Sequence, residues 1–257
     1  MILAGRNEAR LHALRQTLGS RHGEDRFPCA VVDMGSLGSV REATAKILAS
    51  EPRLDILIDN AGAIFPARIV GPDGIEATLA TLVVGPFALT AGLLPLLRRS
   101  DRARIIAVTS GGMYSQRLVI DDLQSMSAPY SGPRAYARSK RAQVALVREW
   151  ARRLRSDGIA VNAMHPGWAD TPGLADALPT FHRVMRPVLR TPTEGVDTLV
   201  WLASADEAGA VSGGVFLDRR PRPFDRLPGT RLSADERRRL WDAVVSLSGM
   251  PDPVPER

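Results

Sequence analysis

The chain has 257 residues, enough to bury a sizeable core, and its 44% apolar and 24% charged residues are ordinary for one globular domain. Its net charge is +6, and 32 of its 34 basic residues are Arg, in short groups interrupted by acidic or apolar residues. Such groups are typical of a solvated surface, although a basic excess also suits nucleic acid, a membrane surface or an anionic cofactor. The single Cys excludes an internal disulfide and the four scattered His residues have no metal-ligand spacing, so we expect a cytoplasmic protein without a metal site.

The stretch from Leu79 to Leu97 carries no charge over nineteen residues, close to the length that a membrane-spanning helix needs. Gly85, Pro86 and Pro95 interrupt it, which favours a buried helix of the core over a membrane span. The first residues, MILAGRNEAR, become charged almost at once. We therefore expect neither a signal peptide nor a transmembrane span.

Short β-branched runs alternate with longer helical patterns along the chain. This alternation predicts an α/β fold, a doubly wound parallel sheet with helices on both faces. The predicted strands cover residues 2–5, 29–33, 54–59, 103–109, 159–164 and 213–217. The predicted helices cover about 7–18, the residues after a Ser36 or Ser39 cap, 79–97, 133–155 and 193–202, and long loops cover 110–132 and 166–192.

The C-terminal residues differ in composition from the rest of the chain. We predict a domain over residues 1–218 and a Pro- and Arg-rich extension over residues 219–257. Ser233 and Glu236 have the spacing of a capping box, which predicts one helix in this extension, packed on or flanking the domain.

Tyr136 and Lys140 lie four residues apart on a predicted helix, so both side chains project from the same face. A free Tyr has a pKa of about 10, so acid or base chemistry at neutral pH needs a cation that stabilises the phenolate. Because the chain has three Tyr and two Lys, this spacing arises by chance in roughly 2% of such compositions. The pair predicts a catalytic site, with an incidental surface pair as the alternative.

Glycines and small polar residues follow several predicted strands. Ser110 comes just after one strand, Asp59 to Gly62 follow another, and Pro166, Gly167 and Thr171 follow a third. Ligands of parallel sheets bind at the carboxyl ends of the strands. We expect these residues to line one crevice together with Tyr136.

These residues together resemble the short-chain dehydrogenase/reductase family, which uses a Ser, a Tyr and a Lys in that order, with an NAG motif and a PGxxxT motif. The resemblance runs from the first residue to about Leu217. Within the family, it is strongest to one member, which has strings similar to SGGM, DDLQS, YARSKRAQV, HPGWADTPG and FLDR. It implies a Rossmann-like fold and an NAD(P)-dependent oxidoreductase that interconverts a carbonyl and an alcohol. Tyr136 would be the general acid and base, Lys140 would hold the nicotinamide ribose and lower the pKa of Tyr136, and Ser110 would hydrogen-bond the substrate oxygen.

The resemblance also implies the residues that bind the cofactor. NADP is preferred over NAD because Arg6 follows the first visible strand and Gly5 stands where NAD users carry an acid. The other residues implied to border the cofactor are Asp33 at the adenine, Asn60, Ala61 and Gly62 at the adenine ribose, and Pro166, Gly167 and Thr171 at the nicotinamide.

Two features depart from the family pattern. Aligning TLVVGPF on the usual VNxxGxF segment puts Leu82 where a catalytic Asn is expected, and Asp59 replaces the first Asn of NNAG. The chain also begins at the family's second strand, without the first βα unit and its Gly-rich TGxxxGxG turn, which binds the pyrophosphate.

A sheet without its central first strand has a slot of unpaired backbone groups, each costing about 1 to 3 kcal/mol when buried without a partner. We therefore expect Met1 to be a misplaced start, or the chain to be a fragment. Reading the upstream DNA in frame tests this expectation, because a strand followed by TGxxxGxG should be encoded there.

We expect a small carbonyl or alcohol as substrate, lipophilic if the apolar second loop forms a lid over it rather than packing as ordinary core. The apolar faces of helices 79–97 and 133–155 suit the homodimer that the family often forms. Two alternatives stay open: a catalytically impaired binding or regulatory protein on this fold, favoured by Leu82 and the missing turn, and, more weakly, a basic nucleic-acid-binding protein. The lid candidates are Trp168, Leu174, Leu178, Phe181 and Met185.

Overall fold

The structure, a computed structural model, describes residues 1–170 and 179–256, without the side chains of residues 179–181. The described strands are β1 (Leu3–Gly5), β2 (Cys29–Val31), β3 (Ile56–Asp59), β4 (Arg104–Val108), β5 (Ala160–Met164), β6 (Val215–Leu217) and β7 (Arg220–Arg222). β1 pairs with β2, while β3 to β7 form a second sheet in chain order. The pair β1–β2 and the pairs from β3 to β6 are all parallel, whereas β7 is antiparallel to β6. The predicted α/β class is therefore confirmed.

Helices cover both faces of the larger sheet. Ile105 and Val161 point into one apolar cluster, while Ile106 and Met164 point into another on the opposite face. This alternation follows from the two-residue period of a strand, and it explains why the central strands are apolar throughout. The helices are α1 (Glu8–His22), α2 (Leu37–Ser50), α3 (Ala77–Leu97), α4 (Gly132–Arg153), α5 (Pro179–Met185), α6 (Pro192–Ser204), α7 (Asp206–Gly209) and α8 (Ala234–Ser248).

Side chains of the loops fix where several helices begin. The Ser36 hydroxyl accepts a hydrogen bond from the Ser39 backbone at the start of α2, which settles the choice between the two predicted caps. Thr191 with Glu194 and Ser233 with Glu236 form complete capping boxes at α6 and α8.

Helix α3 is long and apolar enough to cross a membrane by length and composition, but its most apolar stretch is 83% buried inside the protein. The prediction of a buried core helix is confirmed. Residues 80–84 form a π-helical turn that the apolar pattern did not predict. Leu82 lies in this turn and is completely buried.

Strands β1 and β3 face each other across a cavity of about 950 Å³ and do not pair. Residues of α2 and α3 close one face of this cavity, and Ala203 of α6 lies at the other. A residue in a sheet between two layers occupies about 3.3 by 4.8 by 10 Å, or about 160 Å³. The cavity therefore has room for several strand residues between β1 and β3.

The backbone on both walls of the cavity has unpaired groups. Residues of a parallel strand bond alternately to the neighbours on either side. Leu3 donates to Pro28 beside β2, which turns the N–H and C=O of Ala4 toward the cavity. The register of β3 with β4 turns those of Ile56 and Ile58 the same way, and these side chains are 38% and 41% exposed.

The C-terminal helix α8 packs against α3 and α4 through a cluster of aromatic rings. Trp241 is completely buried, with its ring centroid 4.6 Å from that of Trp150 and 5.0 Å from that of Phe87. The Arg153 guanidinium lies 4.2 Å from the Trp241 ring centroid. Helix α8 thus covers part of the α3 and α4 surface that we expected to form a homodimer interface.

Helix α5 and strand β7 are among the elements that differ from the sequence prediction. The predicted loop 166–192 contains helix α5, and the His182 ring on this helix lies 2.7 Å from the Asp170 carboxylate. Strand β7 was not predicted, because its sequence Arg-Pro-Arg has neither apolar alternation nor β-branched residues. It pairs with β6 through the tight turn at Asp218 and Arg219, whose φ angles are 55° and 56°.

Candidate active site

Ser110, Tyr136 and Lys140 meet at the carboxyl end of β4. Ser110 begins a short helical turn just after that strand, where its hydroxyl accepts a hydrogen bond from the Gly112 backbone. Tyr136 lies in the first turns of α4, and its phenol is close enough to the Ser110 hydroxyl for that hydroxyl to influence the pKa of Tyr136. Lys140 follows one turn later, with Nζ 5.8 Å from the centroid of the Tyr136 ring. The structure thus brings together the three residues that we predicted to be catalytic.

Burial is the main influence on the Tyr136 phenol. It raises the pKa of Tyr136 above the ordinary value, while the nearby Ser110 hydroxyl lowers it. The phenol is therefore protonated at neutral pH in the free protein. In this state it can give a proton to a carbonyl oxygen, whereas acting as a base requires further stabilisation of the phenolate.

Lys140 is buried and points into the core. Its Nζ donates to the Val108 carbonyl at 2.6 Å and to Gln143 Oε1 at 3.1 Å. Burial lowers the pKa of Lys140 to about 7, against an upward influence from the carboxylate of Asp59. Its charge is therefore sensitive to pH near neutrality.

Asp59 ends β3 next to this cluster. Its Oδ2 accepts a hydrogen bond of 3.2 Å from the Thr90 hydroxyl. Burial raises the pKa of Asp59 to about 7, while the Thr90 hydrogen bond and the Lys140 charge lower it. Sequence reasoning treated Asp59 as a mild substitution and missed Gln143, although Gln143 stands three residues after Lys140 on the same helix face.

The first 180 residues match the family model described as short chain dehydrogenase. The chain belongs to the short-chain dehydrogenase family. It is 43% identical to human dehydrogenase/reductase SDR family member 12 over 172 residues, which are 66% of this chain and 54% of the human protein. It is 36% identical to the bovine protein of the same name over 249 residues, which are 96% of this chain and 77% of the bovine protein. The chain thus spans about half the length of the human relative and is similar to the member indicated by its sequence strings.

Two of the solved structures that share the fold of this chain illustrate the similarity. An uncharacterised protein from Mycobacterium paratuberculosis is 26% identical, with a TM-score of 0.75 over 99% of this chain and 85% of that one. A short-chain dehydrogenase from Shigella flexneri in complex with NADP is 25% identical, with a TM-score of 0.66 over 84% of each chain. The predicted Rossmann-like fold is confirmed.

Leu82 lies beside the segment that follows β3. A Cβ atom added to Gly62 would be 3.9 Å from Leu82 Cδ2, so this side chain packs against the backbone that follows β3. An Asn at this place could hold a water, but a buried Leu cannot. Any polar link from Lys140 must therefore run through other residues, and Gln143 is the side chain that it contacts.

The residues expected at the cofactor occupy the carboxyl ends of four strands. Exposed Arg6 follows β1 and exposed Asp33 follows β2. Asp33 Oδ1 accepts a hydrogen bond from the Gly35 backbone, so one of its carboxylate oxygens is already engaged. Asn60, Ala61 and Gly62 follow β3, and Pro166 and Gly167 follow β5.

Gly167 has a structural reason to be glycine. Its φ angle is +74°, and an added Cβ would lie 2.9 Å from Nε of Arg190. Arg190 in turn binds the Asp218 carboxylate with two nitrogens, and its backbone donates to the Trp168 carbonyl at 2.8 Å. The backbone at the expected nicotinamide face is thus fixed by contacts from the loop before α6.

The expected lid is described only in part. Thr171, Leu174 and Leu178 lie outside the described residues, and the Phe181 side chain does as well. Trp168 is 46% exposed and Met185 is partly buried. The choice between a lid and ordinary core therefore stays a prediction.

His165, just before Pro166, was not singled out from the sequence. It is buried, and neither ring nitrogen has a hydrogen-bond partner among the described residues. Burial, followed by the charges of Arg222 and Arg226, lowers the pKa of His165 to about 4. The ring is thus neutral at physiological pH and packs edge-on against Tyr114, with centroids 6.2 Å apart.

The residues present fit the two ends of a dinucleotide cofactor. The Ser110 and Tyr136 hydroxyls lie together at the carboxyl end of β4, and the Arg6 guanidinium has no ion-pair partner within the described ranges. Between these ends, the large cavity reaches Gly5 and Asn60. The residues described around this cavity include no glycine-rich turn that could receive the diphosphate.

Proposed function

We propose that this short-chain dehydrogenase interconverts a carbonyl and an alcohol with NADP as the hydride carrier. The observation that carries the proposal is the approach of the Ser110 and Tyr136 hydroxyls at the carboxyl end of β4, with the buried Lys140 amine one turn away. A phenol and a hydroxyl are thus available to one substrate oxygen, and an amine lies behind them.

In carbonyl reduction, Ser110 donates a hydrogen bond to the substrate oxygen and orients it toward Tyr136. The nicotinamide, when bound, supplies the hydride that reaches the carbonyl carbon. The Tyr136 phenol gives its proton to the oxygen as negative charge develops there. Protonated Lys140 stabilises the phenolate that remains, and in alcohol oxidation the phenolate takes the proton back.

Arg6 would hold the 2′-phosphate that distinguishes NADP from NAD, since it is an exposed guanidinium at the end of β1. Asp33 and the Asn60–Gly62 segment would border the adenosine. The NADP named in the complex of the Shigella flexneri relative supports this cofactor choice. Dehydrogenase/reductase is also in the name of the mammalian relatives, which supports an enzyme over a nucleic-acid-binding protein.

The proposal is tested by titrating the protein with NADPH, followed by fluorescence, and by screening apolar aldehydes and ketones for NADPH consumption. We expect saturable binding, consumption with at least one carbonyl compound, and weaker binding after Lys140→Ala. Binding without NADPH consumption would favour the alternative of a catalytically impaired member of the family, which Leu82 suggests. No binding would reject a dinucleotide site in this chain.

A further inference from the structure

A small cavity lies in the core behind the catalytic residues. Its volume is about 30 Å³, and it is lined by residues of α3, α4, β3, β4 and β5. Asp59, Thr90 and Gln143 provide its polar wall, while the remaining wall includes Phe87 and Trp150. A site of this size holds one water when two or more polar partners face it.

Gln143 offers the first partner. The residue is 5% exposed, and its Oε1 accepts the hydrogen bond from Lys140 Nζ. Its Nε2 is buried and has no hydrogen-bond partner among the described residues. Because buried amide donors are nearly always paired, this nitrogen needs an acceptor.

Asp59 offers the second partner. Thr90, itself 1% exposed, donates to Oδ2 of Asp59, while Oδ1 accepts no hydrogen bond from the described residues. The cavity is therefore bordered by a residue of α4 with a free buried donor and by Asp59 with a free carboxylate oxygen, and Asp59, which is half-buried, also borders the large cavity. These groups match the two hydrogen-bonding sides of a water molecule.

We propose that a water in this cavity joins Gln143 Nε2 to Asp59 Oδ1, so that Asp59 acts through Gln143 as the counter-charge that keeps Lys140 protonated. Asp59 is then a positioning residue for the active site. It supplies from β3 the polar link to Lys140 that Leu82 cannot supply from α3. The use of this charge in catalysis rests on the proposed function, but the link itself does not.

The charges around the cavity are consistent with this pairing. The lining of this cavity consists of Asp59 of β3, Thr90 and apolar side chains of α3, apolar side chains of β4 and β5, and Gln143 and apolar side chains of α4. Lys140 lies behind Gln143, to which it donates a hydrogen bond. Burial opposes the charge of both Asp59 and Lys140, and the attraction between them moves the pKa of each toward its charged form. Tyr136, one turn before Lys140, is the other titratable group nearby.

Lysine NMR tests the link directly, because the chain contains two lysines, Lys46 and Lys140. The protein is labelled with ¹³Cε-lysine, and Lys46→Arg assigns the two signals. Lys46, whose side chain is 74% exposed, serves as the internal reference. We expect Asp59→Asn to lower the titration midpoint of Lys140 by about one to three pH units, since it removes an opposite charge.

Gln143→Met keeps a side chain of similar length but removes both amide groups, and we expect it to lower the Lys140 midpoint as well. Asp55→Asn removes a carboxylate just before β3, where the side chain is 51% exposed, and should leave the midpoint unchanged. An unchanged midpoint in folded Asp59→Asn would overturn the proposal. A shift in Asp59→Asn without one in Gln143→Met would overturn the water link.

If Asp59→Asn does not fold, Gln143→Met decides the outcome. The titration needs neither cofactor nor turnover, so it can succeed even when the proposed function fails. Where the protein is active, a further readout is the pH profile of kcat. Its alkaline limb should move to lower pH in Asp59→Asn by the same amount as the NMR midpoint, which a purely structural role for Asp59 would not produce.

Discussion

Lys140 is a buried amine whose pKa is lowered by burial and raised by the carboxylate of Asp59. The charge of Lys140 should therefore change near neutral pH. Burial lowers the pKa of Lys140 to about 7, and the charged form therefore predominates below that pH. The raised pKa of Tyr136 keeps its proton in place over the same range. We expect kcat for carbonyl reduction to fall by about tenfold per pH unit as the pH rises above about 7.

This pH dependence is measured as kcat at saturating NADPH and carbonyl substrate between pH 5 and pH 9, on the order of two units to either side of the midpoint. The free energy of unfolding should be followed over the same range, so that loss of folded protein is not mistaken for loss of catalysis. A flat profile, or a rate that rises through pH 7, would contradict a requirement for protonated Lys140.

Arg6 is the residue that we propose binds the 2′-phosphate of NADP. Arg6→Ala should raise the Kd for NADPH by about tenfold, because a guanidinium–phosphate hydrogen bond is lost, and should leave the Kd for NADH unchanged. Fluorescence titration with both nucleotides measures the ratio. Arg10→Ala, which removes another exposed Arg from the following helix, is the matched control. Equal weakening of NADPH and NADH would remove Arg6 from the 2′-phosphate site.

The backbone N–H groups of β3 point alternately to β4 and to the large cavity, and this alternation can be tested. The N–H groups of Leu57 and Asp59 face β4, whereas those of Ile56 and Ile58 face the large cavity. We expect amide hydrogen exchange to be faster at Ile56 and Ile58 than at Leu57 and Asp59. NMR exchange rates measure this alternation, and strong protection of Ile56 and Ile58 would indicate that a further strand or a second copy pairs there.

Helix α8 is held mainly by Trp241, which is completely buried against Phe87 and Trp150. Trp241→Ala should lower the free energy of unfolding by about 3 to 5 kcal/mol, because it leaves a cavity within an aromatic cluster. Urea unfolding measures the change. Leu14→Ala, at a 46% exposed position of α1, is the control and should change the stability by less than about 0.5 kcal/mol. A small effect of Trp241→Ala would mean that α8 adds little to the core.

Over the whole molecule, the features that the sequence predicted are those written in local patterns. The parallel strands, the buried helix α3 and the Ser233 cap each follow from periodicity or spacing within a few residues. The resemblance to the family predicted a slot beside β3, and a cavity separates β3 from β1. The catalytic residues were predicted because Tyr136 and Lys140 share one helix face.

Features that depend on distant contacts were not predictable. Asp59 and Gln143 are far apart in the chain, and neither a period nor a motif relates them. The π-helical turn that contains Leu82 depends on packing around α3. The uncharged sequence of this helix contains no pattern that would predict the turn. Strand β7 depends on the turn at Asp218, where two non-glycine residues adopt positive φ angles.

The most direct test of hydride transfer by this site uses NADPH deuterated at C4 of the nicotinamide, with a carbonyl substrate found in the screen. We predict that deuterium appears on the carbinol carbon of the product with the wild-type protein. Tyr136→Phe should bind NADPH with a similar Kd but transfer deuterium at least about a hundredfold more slowly, since the proton donor is lost. Undiminished transfer by Tyr136→Phe would contradict the account.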